Sequence, residues 1–244
     1  MDYLKTLNEN QKRAVLSTEG PVLIVAGAGA GKTKTITHRI MHLITSGVAP
    51  ERILAITFTN KAAREMRERV KSMLEKDKNF SQMRKMPVMS TFHSLGVQII
   101  KENAEHLKLP RHFNIFDTAD SKKALKDALT HLGLDPKEHL EKIRHIISRE
   151  KSRGTDIKEY AEKGFDDYTH ELVKKAWTRY EETLAKEHAL DFDDLLLKTL
   201  KLLQKNPEVL ERYQNRFLYG RTRTGRAVGC APRERLACPG RPRP

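Results

Sequence analysis

Residues 22–33, Val-Leu-Ile-Val-Ala-Gly-Ala-Gly-Ala-Gly-Lys-Thr, constrain the fold more than any other stretch of the chain. Four apolar residues, with β-branched Val22, Ile24 and Val25 among them, predict a buried strand over Val22–Ala26. Small residues follow, then Gly31-Lys32-Thr33 and a helix-like run from Lys34 to Thr45. A strand, a glycine-rich turn and a helix start together form a phosphate cradle. The glycines let backbone N–H groups turn inward with no Cβ in the way. The helix start adds N–H groups that lack intrahelical acceptors, and the positive end of the helix dipole. The expected nucleotide-binding run is Ala26, Gly27, Ala28, Gly29, Ala30, Gly31, Lys32 and Thr33, with Lys34 and Thr35 directly behind it. Lys32 and Thr33 are the candidate catalytic pair. The lysine reaches the β- and γ-phosphates, and the threonine hydroxyl takes one coordination position on Mg²⁺. ATP and Mg²⁺ are the cofactors this pattern implies. Its one departure from G-x-x-x-x-G-K-[ST] is Ala26 at the first position, and alanine is small enough to keep the turn.

Strand and helix signals alternate from there. A short helix is expected over Asn8–Thr18, and a second buried strand over Ile53–Thr57. Asn60 to Lys76 carries Ala62, Ala63, Met66, Val70 and Met73 on one helical face. Pro87–Thr91 reads as a third strand, and Phe92–Leu107 as the helix after it. This alternation predicts an α/β domain with a parallel sheet. Beyond Pro110 the periodicity is helical throughout. Leu125, Ala128 and Leu129 stripe one helix, Pro136–Arg149 forms another, and Tyr168–Lys186 a third with Trp177 facing its core. The α/β pattern resumes at Leu190–Leu195, followed by helices to Leu203 and from Pro207 to Arg216. Residues 1–108 and 188–219 are therefore expected to form one domain, interrupted by an all-helical insertion over 109–187.

Composition switches at Gly220. From there to Pro244 the chain has seven Arg and no Lys, and Glu234 is its one acidic residue. Both cysteines, Cys230 and Cys238, lie in this segment, which gives no support for a disulfide scaffold or zinc site. Arg, Gly, Pro and Ala share G/C-rich codons, so an out-of-frame reading would produce such a switch. The functional alternative is a basic, disordered nucleic-acid-binding arm. The formal charge of +14 points to a polyanionic partner. The N-terminus has no apolar signal core, and no stretch approaches the roughly 18 apolar residues of a membrane span. A cytoplasmic chain with no membrane partner is expected.

Five motifs stand in order: Leu7-Asn8-Glu9-Asn10-Gln11, Ala26–Thr33, Ile53–Ala63, Thr91-Phe92-His93-Ser94 and Leu190–Leu195. Together they resemble the UvrD/Rep/PcrA family of superfamily 1 DNA helicases, over about residues 4–219. The resemblance implies a RecA-like P-loop domain, with an incomplete sheet here and a helical subdomain inserted in it. It also implies an ATP-driven helicase or translocase, moving 3′→5′ on single-stranded DNA and at single-/double-strand junctions.

In that pattern Gln11 reads adenine, because an amide can pair with both a donor and an acceptor on the base edge. Arg39 lies beside the base. Phe58 offers a stacking face, and Thr59, Asn60 and Lys61 offer phosphate donors. Thr91, Phe92 and His93 extend the strand track. On the residues alone, Gln11 is a solvated amide, Arg39 is open between base contact and plain surface arginine, and Phe58 is open between stacking and core. Asp191, Asp193 and Asp194 suit a helix N-terminus better than a metal site. Lys122, Lys123, Lys126, Arg144, Arg149, Lys151 and Arg153 are candidate contacts to duplex phosphates, with most of them, taken one by one, expected to be solvent-facing charges.

In the family the segment after Tyr219 continues as an apolar strand ending in Asp-Glu, whose carboxylates hold Mg²⁺. Here Gly220-Arg221-Thr222-Arg223 stands instead. The 244 residues are therefore expected to keep the phosphate loop and half of the strand track, without the second motor domain and without coupled hydrolysis. A parallel sheet without that interior strand leaves backbone groups unpaired and apolar side chains uncovered, so a marginal or aggregation-prone domain is expected. The rival readings are a different P-loop ATPase or kinase and a nonenzymatic DNA-binding or regulatory fragment.

Overall fold

The computed structural model describes residues 3–18, 20, 22–80, 85–163 and 168–217. The 220–244 tail with its two cysteines lies outside the described residues, as does Pro21. The chain divides into two units, one running to Thr91 and taking in Arg212 onward, the other Phe92–Glu211.

In the first unit, helix α1 (Glu9–Leu16) opens with a capping box. The Asn8 side chain accepts the Gln11 N–H, and the Gln11 side chain accepts the Asn8 N–H. Helix α2 (Lys32–Thr45) buries Ile40, Met41 and Ile44. Thr59 caps helix α3 (Asn60–Lys76), which buries Ala63, Met66, Val70 and Leu74 at helical spacing. Strands β1 (Leu54–Thr57) and β2 (Val88–Thr91) run parallel, with Leu54 opposite Val88 and Thr57 opposite Thr91. Ile53 and Met89 complete the apolar cluster of α2 and α3. The Val88 N–H donates to Ile53, so the neighbouring Met89 carbonyl faces away from β1. Arg67 of α3 donates to that carbonyl at 2.7 Å and so covers it.

The strand expected over Val22–Ala26 is not formed; these residues join no ladder. Their exposure still alternates: Val22 and Ile24 are 41% and 37% exposed, Leu23 and Val25 88% and 87%. An apolar β-branched run sets a preference for extended chain, but a strand also needs a neighbour to take its N–H and C=O groups. Among the described residues no strand lies beside it.

The second unit is mostly helical. It contains α4 (Phe92–Glu102), β3 (Asn114–Ile115), α5 (Thr118–His131), α6 (Pro136–Ser152), α7 (Ile157–Glu162), α8 (Tyr168–Lys186), β4 (Ala189–Leu190) and α9 (Phe192–Lys205). Helix α10 (Pro207–Arg216) follows. The expected helix over Phe92–Leu107 ends at Glu102, and a 3₁₀ turn covers Ala104–Leu107. β3 and β4 form a two-residue parallel pair, and α7 is six residues long. Both are too short to show a period in sequence. Trp177 is fully buried among Leu125, Ile143, Tyr160 and Val173, as its place in the α8 stripe predicts. Gly96 lets α4 pass close to α9: a Cβ there would stand 2.7 Å from the Leu195 carbonyl oxygen.

Lys151 corrects a sequence expectation. It does not track phosphate from the surface, because its side chain is 0% exposed. Its ammonium binds Asp191 and Asp194 at 2.9 Å and Glu181 at 2.8 Å. Of the other basic candidates, Lys122 and Arg144 pair with Glu141, and Arg149 and Arg153 with Glu150. Burial works against the Lys151 charge, but the three carboxylates outweigh it and hold its pKa well above the usual value. Burial pushes Asp194 up to about 6 in spite of Lys151. Asp191 is also penalised by burial, but Lys151 prevails there and keeps it below the ordinary range.

Two predictions follow from these features. Leu23→Lys places a charge on an uncovered apolar segment and should reduce self-association, read by light scattering at fixed concentration; unchanged scattering would mean the segment is covered. The second concerns pH. A buried acid with a raised folded pKa binds protons more tightly when folded, so stability should increase on acidification from about pH 7 to about pH 5. Below about pH 4 it should fall, as the depressed Asp191 takes a proton. Trp177, the single tryptophan, reports this through its urea midpoint. Asp194→Asn should lose most of the rise; Asp193, also raised by burial, supplies the rest. His38 and His42, lowered by burial, have the opposite sign but belong to the first unit.

Candidate nucleotide and nucleic-acid sites

The run from Ala26 to Thr33 folds as a loop that its own glycines permit. Gly29 and Gly31 take φ of 74° and 78°, left-handed values that cost a side-chain-bearing residue energy. The Ala30 N–H donates back to the Gly27 carbonyl at 3.4 Å, which closes the turn. Gly31 is the N-cap of α2 and offers no side-chain cap, and the first turn of α2 has no acidic residue. That helix start therefore keeps its N–H groups and positive dipole end available to an anion.

Lys32 is exposed at the first position of α2. Its ammonium donates to the carbonyls of Ala26 and Gly27 at 2.9 and 2.7 Å. It thus closes across the loop that precedes it. Thr33 follows, half-buried. Thr35 points inward and its hydroxyl donates to the Gly31 carbonyl at 3.2 Å, so it supports the loop from behind. Lys34 turns away and donates to the Thr6 carbonyl.

Gln11 meets this loop. Its Oε1 accepts from Asn8, and its Nε2 donates to the Ala30 carbonyl at 3.1 Å. The capping box of α1 therefore sets which end of the amide faces the loop. The left-handed φ favours glycine at position 31, and a Cβ there would stand 2.8 Å from Gln11 Nε2 and push that amide aside. Arg39 lies one helical stretch further on and donates to the Ala14 carbonyl at 2.6 Å, joining α2 to α1.

A triphosphate fits this loop on three counts: left-handed glycines, an uncapped helix start and an ammonium whose acceptors are two neutral carbonyls. The metal fits in part. Thr33 supplies one oxygen, and among the described residues no group of three or more His, Cys, Asp or Glu stands where it could hold a metal ion. Thr33 would hold Mg²⁺ together with oxygens of the nucleotide.

The expected strand contacts divide between the units. In the first, Phe58 leaves β1 92% exposed. Thr59 spends its hydroxyl on the Ala62 N–H, as the cap of α3. The Asn60 side chain accepts from Thr91 at 3.4 Å, and Thr91 is buried. Lys61 is exposed. Phe92 and His93 open α4 in the second unit. There the structure adds a residue that sequence reasoning passed over. Phe192 stands edge-on to His93, with ring centroids 5.9 Å apart and planes at 88°, and is 46% exposed. Its signal in sequence is a large aromatic at the first helical position, straight after the cap Asp191.

Comparison with known proteins agrees with this assembly of motifs. The UvrD/REP helicase N-terminal domain matches residues 7–219. ATP-dependent DNA helicase PcrA of Staphylococcus aureus (strain Mu50) is 41% identical over 219 residues, which are 88% of this chain and 29% of that protein. PcrA of Leuconostoc citreum is 42% identical over 215 residues, 87% of this chain and 28% of that protein. The chain thus spans less than a third of the length of these relatives, and it aligns with their N-terminal part. Among its described residues no helix is long and apolar enough to cross a membrane. With 213 matched residues and this loop at its start, the chain belongs to the UvrD/REP helicase N-terminal domain family.

Proposed function

We propose that these residues are the ATP-binding N-terminal part of a 3′→5′ DNA helicase or translocase, holding ATP–Mg²⁺ in the 26–33 loop and single-stranded DNA, up to its junction with duplex, on the residues after β1 and β2. The observation that carries this reading is Lys32 resting on the Ala26 and Gly27 carbonyls. A phosphate oxygen is a stronger acceptor than either carbonyl, so an entering triphosphate draws the ammonium onto itself. The N–H groups at the start of α2 then hold the phosphates in place. When bound, the metal would neutralise phosphate charge, with Thr33 as its protein ligand. Gln11, turned by Asn8, releases the Ala30 carbonyl to face adenine, and Arg39 stays a link between α1 and α2 unless the base draws it away.

On the DNA side, Phe58 is an exposed stacking platform, Lys61 supplies charge, and His93 with Phe192 offers a second aromatic face. Thr59, Asn60 and Thr91 act by shaping the backbone around these contacts. This division of labour suits a RecA-like first motor domain over 1–108 and 188–219, with 109–187 inserted. The family match ends at residue 219, one residue before the composition switch. That coincidence supports reading 220–244 as a frame-change product, and hence the 244 residues as a nucleotide and DNA binder that does not turn over ATP productively.

Lys32→Ala should weaken ATP binding by about tenfold to a hundredfold, the worth of a hydrogen bond to a charged group. Gly31→Ala should do the same through strain at its left-handed φ and displacement of the Gln11 amide, while the Trp177 signal of the second unit stays unchanged; titration calorimetry reads the affinities. Unaltered ATP affinity in Lys32→Ala would refute the loop assignment. Single-strand affinity should change on adding ATP, whereas ATPase turnover should stay flat on adding DNA. Vigorous DNA-stimulated hydrolysis would sink the proposal of a non-productive fragment, and DNA affinity indifferent to ATP would favour a purely passive binder.

A further inference from the structure

Helix α9 is held at its first turn by a buried cation from another helix. Asp191 and Asp194 cap it reciprocally: Asp191 Oδ1 accepts the Asp194 N–H at 2.7 Å, and Asp194 Oδ2 accepts the Asp191 N–H at 3.4 Å. The remaining oxygens, Asp191 Oδ2 and Asp194 Oδ1, each accept from Lys151 Nζ at 2.9 Å. Glu181 on α8 takes the same ammonium, and the Tyr180 hydroxyl donates to Asp191 Oδ2 at 2.9 Å. Every carboxylate oxygen of this cap is thereby occupied, and the cap is tied to α6 and α8.

Phe192 sits between the two capping residues, with its ring edge-on to His93 at the start of α4. Two constraints set that pair. Gly96 sets how closely α4 approaches α9, since a Cβ there would meet the Leu195 carbonyl oxygen. Lys151 sets the direction of the first turn of α9. An apolar side chain of similar volume would fill the Lys151 site without the cost of desolvating an ammonium and its carboxylates. What the ammonium supplies is a fixed position for both capping residues at once.

We propose that Lys151 is a positioning residue for single-strand binding: through the Asp191–Asp194 cap it holds Phe192 against His93, so that the two rings form one face for a nucleobase. It never touches the nucleic acid. The proposal rests on the reading of His93 as a strand contact and extends it to a buried residue on a different helix.

The test is a double-mutant cycle on the full chain, with binding of a labelled short oligothymidylate read by fluorescence anisotropy. Phe192→Ala should weaken binding by about fivefold or more, the range of one lost base–aromatic stack. Lys151→Met should weaken it by a comparable factor. The double variant should bind no more weakly than Phe192→Ala alone, because both changes remove the same contact. Trp177 emission, whose indole donates to Glu181 at 3.0 Å, shows whether each variant is folded. If Lys151→Met does not fold, Lys151→Met with Asp194→Asn carries the same cycle, since it removes one of the carboxylates left without a cation. The proposal is overturned if a folded Lys151 variant binds as wild type, or if the double variant shows the product of the two separate losses. Those results leave the strand reading intact as long as Phe192→Ala and His93→Ala bind weakly. Full affinity in both of these would instead remove the strand reading, and the proposal with it.

Discussion

A buried ammonium must find carboxylates, and in this chain that requirement organises the second unit. Lys151 leaves α6 and enters a space walled by α8 and α9, where its side chain has no solvent exposure and every unmatched charge is costly. Asp191, Asp194 and Glu181 converge on it from two helices. Their mutual repulsion is relieved by Lys151 itself, by Lys198 at 3.9 Å from Asp194, and by the tendency of Asp194 to hold a proton. Removing Lys151 would take away the cation that all three carboxylates share, whereas removing one carboxylate leaves the ammonium paired with the other two. The helices are therefore fixed in relative direction by ions, and in relative distance by apolar packing around Trp177.

The phosphate loop obeys the opposite economy. Its polar groups lie at the surface and are matched only by weak, neutral partners: a carbonyl for Gln11, two carbonyls for Lys32, nothing from a side chain for the start of α2. Each is a partner that an anion can displace. A loop whose ammonium sat in an ion pair like that of Lys151 would be far harder to open. The same residue type is thus locked in an ion cluster in one unit and held by displaceable carbonyls in the other, and solvent access and the charge of the acceptor decide which.

Much of the architecture was legible from pattern alone. Helix α3 begins after Thr59 and ends at Lys76 as its cap and apolar face require, and α8 spans the predicted Tyr168–Lys186. The glycine-lysine-threonine loop and the motif order led to the family without any contact information. Three readings failed in instructive ways. Val22–Val25 has the composition of a buried strand, but the run cannot report whether another strand lies beside it. Lys151 looked like its basic neighbours, because a lysine's charge is visible in sequence and its burial is not. Phe192 was absorbed into a helix start, since the ring that meets it belongs to His93, nearly a hundred residues earlier.

The sequence by itself determined the local elements and the chemistry of the loop. Helix periodicity, caps and the left-handed glycines are decided by residues a few positions apart, through sterics and short-range hydrogen bonds. Tertiary structure alone decided which charges are buried, which aromatic rings share a face and which apolar run goes unpaired. Those outcomes depend on residues distant in the chain arriving at the same place, and on the loss of water between them, neither of which a local pattern encodes.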